Sequence, residues 1–153
     1  MSETDRGSTS TCRCGAIAFS MVGQPIVEAT CHCESCAAAA HQIEEMGAGQ
    51  IINADGGMDY VLFRKDRVML LRGKASLIEH RLTPDSPTRR VVASCCHSPM
   101  FLDFALGHWL SIYRANLGAG GPRPEMRAHS ARFFLKLIGA WVAMGFRRPK
   151  LPF

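Results

Sequence analysis

Seven cysteines stand in three tight groups: Cys12 and Cys14, then Cys31, Cys33 and Cys36, then the adjacent pair Cys95 and Cys96. A CxC or CxxC spacing turns two sulfurs to one side of a tight turn, where a tetrahedral ion can take both. Neighbouring cysteines are poorly placed to bridge each other, and an odd count leaves one thiol outside any fully oxidised framework. The first residues, Met1 to Arg6, are polar and show no apolar signal segment. A reducing cytoplasm is therefore the expected compartment, where clustered cysteines bind metal more often than they form disulfides. Iron–sulfur ligation is a weaker match, because CxC is not its usual spacing. The expected metal is zinc.

The elements that would position these residues are mostly β. Residues 14–23 and 26–30 read as strands, the second delivering Cys31 to the CxCxxC loop. The alanine-rich run that follows reads as a short helix ending at Gly47. Residues 50–53 and 60–63 flank the turn signal Asp55-Gly56-Gly57, and further strands are expected at 67–72, 75–82 and 90–94, the last running into Cys95. Short strands joined by turns predict a mostly antiparallel β domain with metal loops at strand ends. At 153 residues the chain is long enough for one domain with its own core. The expected division is a flexible leader at 1–10, a zinc-binding β domain at 11–116, a linker at 117–127, and a C-terminal helix with a basic tail at 128–153.

The glycines of 117–124 lack the Lys-Ser/Thr ending of a phosphate loop, so linker is the better reading. The formal charge of +5 collects at the end of the chain, on Arg123, Arg127, Arg132, Lys136, Arg147, Arg148 and Lys150. Arg132 and Lys136 interrupt the apolar run 129–146, which falls short of the roughly 20 residues a membrane span needs. That helix is expected to pack on the β domain or to mediate self-association. Neither nucleic acid nor membrane is the expected partner.

Taken together, Cys12-Arg13-Cys14-Gly15, Cys31-His32-Cys33-Glu34-Ser35-Cys36 and Cys96-His97-Ser98-Pro99-Met100-Phe101 resemble the glutathione-dependent formaldehyde-activating enzyme family, which includes centromere protein V. The resemblance covers roughly residues 11–116. It implies an Mss4-like fold, a complex β structure holding two zinc ions. It further implies that Cys12 and Cys14 share a structural zinc with the late pair, and that Cys31, Cys33 and Cys36 hold a second, three-thiolate zinc whose open position is catalytic. The chain departs from the family's late Cys-x-x-Cys-Gly pattern, with Ala93 and His97 at two of its positions. Cys95 then either supplies the missing sulfur to the structural site or turns toward the second ion and closes it.

An open three-thiolate zinc holds a thiol or water as its anion. The expected function is that of a carbon–sulfur lyase or synthase acting on a small thiol adduct, with glutathione or another small thiol as co-substrate. A non-catalytic zinc module for a macromolecular partner is the alternative, and a thiol redox or metal-handling protein a third reading. His32 and His41 are candidate fourth ligands or proton carriers, His97 a candidate hydrogen-bond partner of a thiolate, and Glu34, Glu44 and Glu45 candidate bases. Arg13, Arg64, Arg67, Arg89 and Arg90 are available for the carboxylates of glutathione, and the sequence selects none of them.

Overall fold

The computed structural model describes residues 7–118 and 124–153. Among the described residues, nine strands form two antiparallel sheets. β1 (Ser8–Thr11), β2 (Ala18–Met21) and β5 (Val68–Arg72) make the smaller sheet in the order β1-β2-β5. The larger sheet contains β3 (Val27–Cys31), β4 (Met58–Arg64), β6 (Leu77–His80), β7 (Thr88–Ala93), β8 (Pro99–Phe104) and β9 (Trp109–Tyr113), ordered β3-β4-β9-β8-β7-β6. Two helices complete the fold, α1 (Glu34–Ile43) and α2 (Ala131–Ala143). The mostly β expectation holds.

The unbroken apolar run in β4 follows from its place between two cores. Val61 and Phe63 face one core with Phe19 and Met21 of the small sheet, while Tyr60 and Leu62 face a second with Cys36 and Ala40 of α1 and Phe133 and Leu137 of α2. Alternate residues of a strand point to opposite faces, so a strand covered on both sides carries no polar face. Phe101 and Leu110 are fully buried in the first core, each contributing about 2–3 kcal/mol by removal from water. The chain's last residue joins them: the Phe153 ring lies 5.2 Å from that of Phe19 and 6.1 Å from that of Phe101. Gly73 passes from β5 toward β6 at φ 89°, where a Cβ would come within 2.5 Å of the Ala16 carbonyl oxygen.

Several expectations are revised. Residues 50–53 form no strand, because the Glu44 carboxylate accepts the N–H groups of Ile51 and Ile52 at 2.7 and 3.0 Å and diverts them from any ladder. Ser8–Thr11 pair with β2 although they begin in the stretch read as a leader; residues 1–6 lie outside the described residues. Of the expected linker, 119–123 also lie outside them, while Met126, and Ala128 just after the linker, bond to Thr30 of β3 through the backbone. β8 and β9, which the sequence reading passed over, sit at the centre of the large sheet.

Candidate functional site

The turn between β1 and β2 carries Cys12 and Cys14, and the tight loop between β7 and β8 carries Cys95 and Cys96. The fold closes these two loops on each other, so that all four sulfurs lie within 4.8 Å of one another. Cys14 is 3.3 Å from Cys95, Cys12 is 3.6 Å from Cys14 and 3.8 Å from Cys95, and Cys95 is 4.0 Å from Cys96. Four thiolates around a tetrahedral ion with bonds of about 2.3 Å would stand about 3.8 Å apart, so this group fits such an ion. The Cys95 sulfur lies with those of Cys12, Cys14 and Cys96. His97 takes φ 60°, and this lets the pair turn back on itself.

The hydrogen bond expected of His97 is made by Ser98. Its hydroxyl is 3.1 Å from the Cys96 sulfur and accepts the Arg13 N–H at 3.0 Å. Burial works against a Cys96 thiolate, but Ser98 and the backbone of Cys14 and Ser98 bring its pKa down to about 6. Hydrogen bonds to Cys14 push that of Cys95 up to about 12. Arg13 reaches the other way and donates to the carbonyls of Gly47, Ala48 and Cys96.

The second group forms where β3 ends and α1 begins. Cys31 donates to Cys33 at 3.2 Å, a hydrogen bond that lowers the pKa of Cys33 and raises that of Cys31. A third ligand atom completes the cluster from a part of the chain that no sequence argument pointed to. His129 Nε2 lies 4.0 Å from the Cys31 sulfur, and Cys31, Cys33 and His129 lie close enough to share an ion. His129 holds φ 68°, just before Ser130 caps α2 by accepting the Phe133 N–H. Of the expected triad, Cys36 borders this group and acts on both thiols. Its own sulfur receives a hydrogen bond from Arg90 at 3.7 Å.

The other candidates lie elsewhere. His32 turns to Asp55 at 3.7 Å, His41 and Glu34 are exposed on α1, and Glu44 anchors the loop after it. Arg64 pairs with Asp66, and Arg89 with Asp103 and Glu79. The separation of 98 residues between Cys31 and His129 explains why spacing could not find the histidine.

The two clusters differ in what borders them. A hollow of about 500 Å³ runs past the four-sulfur group, and buried Cys12 is the cysteine of that group that lines it. A cavity of about 340 Å³ opens directly from Cys31, Cys33, Cys36 and His129, walled by β3, β4, β7, β8, β9 and α2. The smaller space is the better candidate because reactive groups face it. Arg90, Tyr60 and Ser111 line it. Burial, reinforced by Tyr113 and Cys36, holds the Tyr60 phenol well above its usual pKa, and burial above all pushes Tyr113 up to about 12. Burial opposes the Arg90 charge, yet Tyr113 and Cys36 raise its pKa on balance, so it stays a cation.

Two antiparallel sheets pinned at their loop ends by cysteine clusters define an Mss4-like β domain with two candidate metal centres. The profile described as glutathione-dependent formaldehyde-activating enzyme matches residues 7–131, and the chain belongs to that family. A solved structure of a Rhodobacter sphaeroides protein shares the fold with a TM-score of 0.52 and 15% identity, over 74% of this chain and 91% of that one. No curated protein matches the chain. Among the described residues, no helix is long and apolar enough to cross a membrane.

Proposed function

We propose that this protein is a zinc enzyme that makes or breaks the carbon–sulfur bond of a small thiol–aldehyde adduct, of the kind glutathione forms with formaldehyde. One observation carries the reading: Cys31, Cys33 and His129 come together, with Cys36 beside them, on the wall of a cavity, whereas the four sulfurs of the other cluster could by themselves surround a tetrahedral ion. Thiolate and imidazole donors suit zinc. Zinc bound there lowers the pKa of a thiol and favours its anion.

In this reading Cys12, Cys14, Cys95 and Cys96 hold a structural ion, and Cys31, Cys33 and Cys36 hold the catalytic one. Arg90 offsets the negative charge that thiolates bring together beside Cys36. His129 would leave room for the incoming thiol and would accept the thiol's proton on Nε2. The thiol's sulfur pair then attacks the carbonyl carbon of the aldehyde, the C=O π pair moves to oxygen, and His129 returns the proton to that oxygen. The reverse sequence breaks the bond. The apolar walls keep water from competing for the carbonyl carbon. All seven cysteines are unpaired, which suits a reducing cytoplasm.

A second reading rests on the same histidine. If His129 stays on the ion, the site has a full set of protein ligands and the domain is a non-catalytic zinc module for a macromolecular partner. Cobalt-substituted protein titrated with glutathione separates the two. New thiolate-to-cobalt absorption, with turnover of a glutathione–formaldehyde adduct, is expected of the enzyme. An unchanged spectrum at saturating thiol would reject it in favour of the module.

A further inference from the structure

The cavity beside Cys31 and Cys33 is built for a different body from that of glutathione. Its wall is mainly apolar, with Ala29, Leu62, Leu102, Phe133 and Leu137 among the lining residues. Glutathione would set peptide groups, an ammonium and two carboxylates against that wall, and buried polar groups without partners are costly. Arg13, Arg64 and Arg89 are all engaged elsewhere, so Arg90 is the arginine that lines the space.

Arg90 is itself unusual. It is 2% exposed, it donates to the Cys36 sulfur through one terminal nitrogen, and its Nε has no hydrogen-bond partner. Among the described residues no Asp or Glu pairs with it. A buried guanidinium with a spare donor is a receptor for an anionic group, carboxylate above all. Its place against Cys36 puts that anion within a few bonds of a sulfur bound at the cluster.

We infer that the thiol taken by this site has an apolar body and a single carboxylate close to its sulfur, the chemistry of an aryl- or alkyl-substituted mercapto acid. The inference rests on the thiol-binding reading given above, and it replaces glutathione with another class of thiol. Binding adds no covalent step beyond the one already described.

The test uses the full chain loaded with cobalt and follows the absorption of the cysteine-bound ion. Three thiols are compared: 2-sulfanyl-3-phenylpropanoate, the uncharged 2-phenylethanethiol, and glutathione. The mercapto acid is expected to bind about tenfold more tightly than either of the others, through its ring in one case and its carboxylate in the other. Arg90→Lys should erase the advantage over phenylethanethiol. Because a buried arginine can matter for folding, Ala128→Phe, which fills the cavity from its rim, is a second variant. It should weaken both aryl thiols about tenfold and leave a fourth thiol, the small 2-mercaptoethanol, unchanged. Glutathione binding as tightly as the mercapto acid, or aryl thiols indifferent to Ala128→Phe, would overturn the inference while leaving the proposed reaction standing. A spectrum that no thiol perturbs would overturn both.

Discussion

The two cysteine clusters use the same side chain for different ends. In the first, both pairs sit on turns between strands, and two sulfurs are exposed while two are buried. Their partners are other sulfurs, Ser98 and the backbone. In the second, the cysteines straddle the start of a helix, and their partners are a histidine, an arginine and a cavity. A metal that ties strand ends together needs every position filled by protein, whereas one that does chemistry needs a position that can be vacated. The comparison teaches that surroundings, more than the number of sulfurs, would separate a pin from a reaction centre.

The largest effect should follow from breaking the pin. Cys14→Ser is expected to release one metal equivalent and to cost about 3 kcal/mol or more of stability, seen as a fall in Tm with loss of metal by elemental analysis. Cys33→Ser should do the opposite. It is expected to remove the other equivalent and cut thiol–aldehyde turnover by about a hundredfold or more, with the melting curve shifted by about 1 kcal/mol or less. Equal melting temperatures for the two variants would dissolve the distinction between the clusters.

Two smaller perturbations act on α2, which covers the second cluster alone. Ser130→Ala removes the helix cap beside His129 and should cost about 1 kcal/mol. It should also alter the cobalt spectrum of the second ion and leave that of the first unchanged. The smallest effect is one of pH. Burial above all lowers the pKa of His108 from its ordinary value of 6.5; its Nε2 donates to the Leu137 carbonyl at 2.9 Å and its ring stacks on Trp141. A depressed folded pKa means that the unfolded chain binds more protons below pH 6.5. His108 therefore contributes its stability fully above that pH, and the contribution is lost as pH falls toward the folded value. Hydrogen exchange should show α2 loosening on mild acidification before the loops of Cys12 and Cys96 do, and His108→Phe should flatten this response.

Legibility in the sequence followed distance along the chain. Cys12 with Cys14, and Cys31 with Cys33, were visible because their spacing is local, and β3, β5 and β7 because their apolar runs are bounded by turns. β8 and β9 were missed: Pro99 opens β8 and reads as a breaker, and β9 lies beside Gly107, which reads as a turn. The absent strand at 50–53 turned on one carboxylate, Glu44, whose capture of two backbone donors has no periodic signature. His129 and Arg90 needed the fold itself, since only the pairing of Thr30 with the backbone around Arg127 and the register of β7 bring them to Cys31 and Cys36. The basic tail was legible as charge but not as structure. Its final residue is part of the core, and its carbonyl accepts a hydrogen bond from Arg89.

Arg13 gives α1 a mechanical office. The helix begins at Cys33, and the turn that ends it, at Gly47 and Ala48, is gripped by the guanidinium of the residue between Cys12 and Cys14. The helix is thus a strut between the two clusters, on the order of 15 Å long at about 1.5 Å per residue. Paired-metal catalysis requires ions about 4 Å apart, so these two centres cannot share a substrate or a bridging atom. Ions held there would be electronically private, and one could be exchanged for a spectroscopic metal without the other.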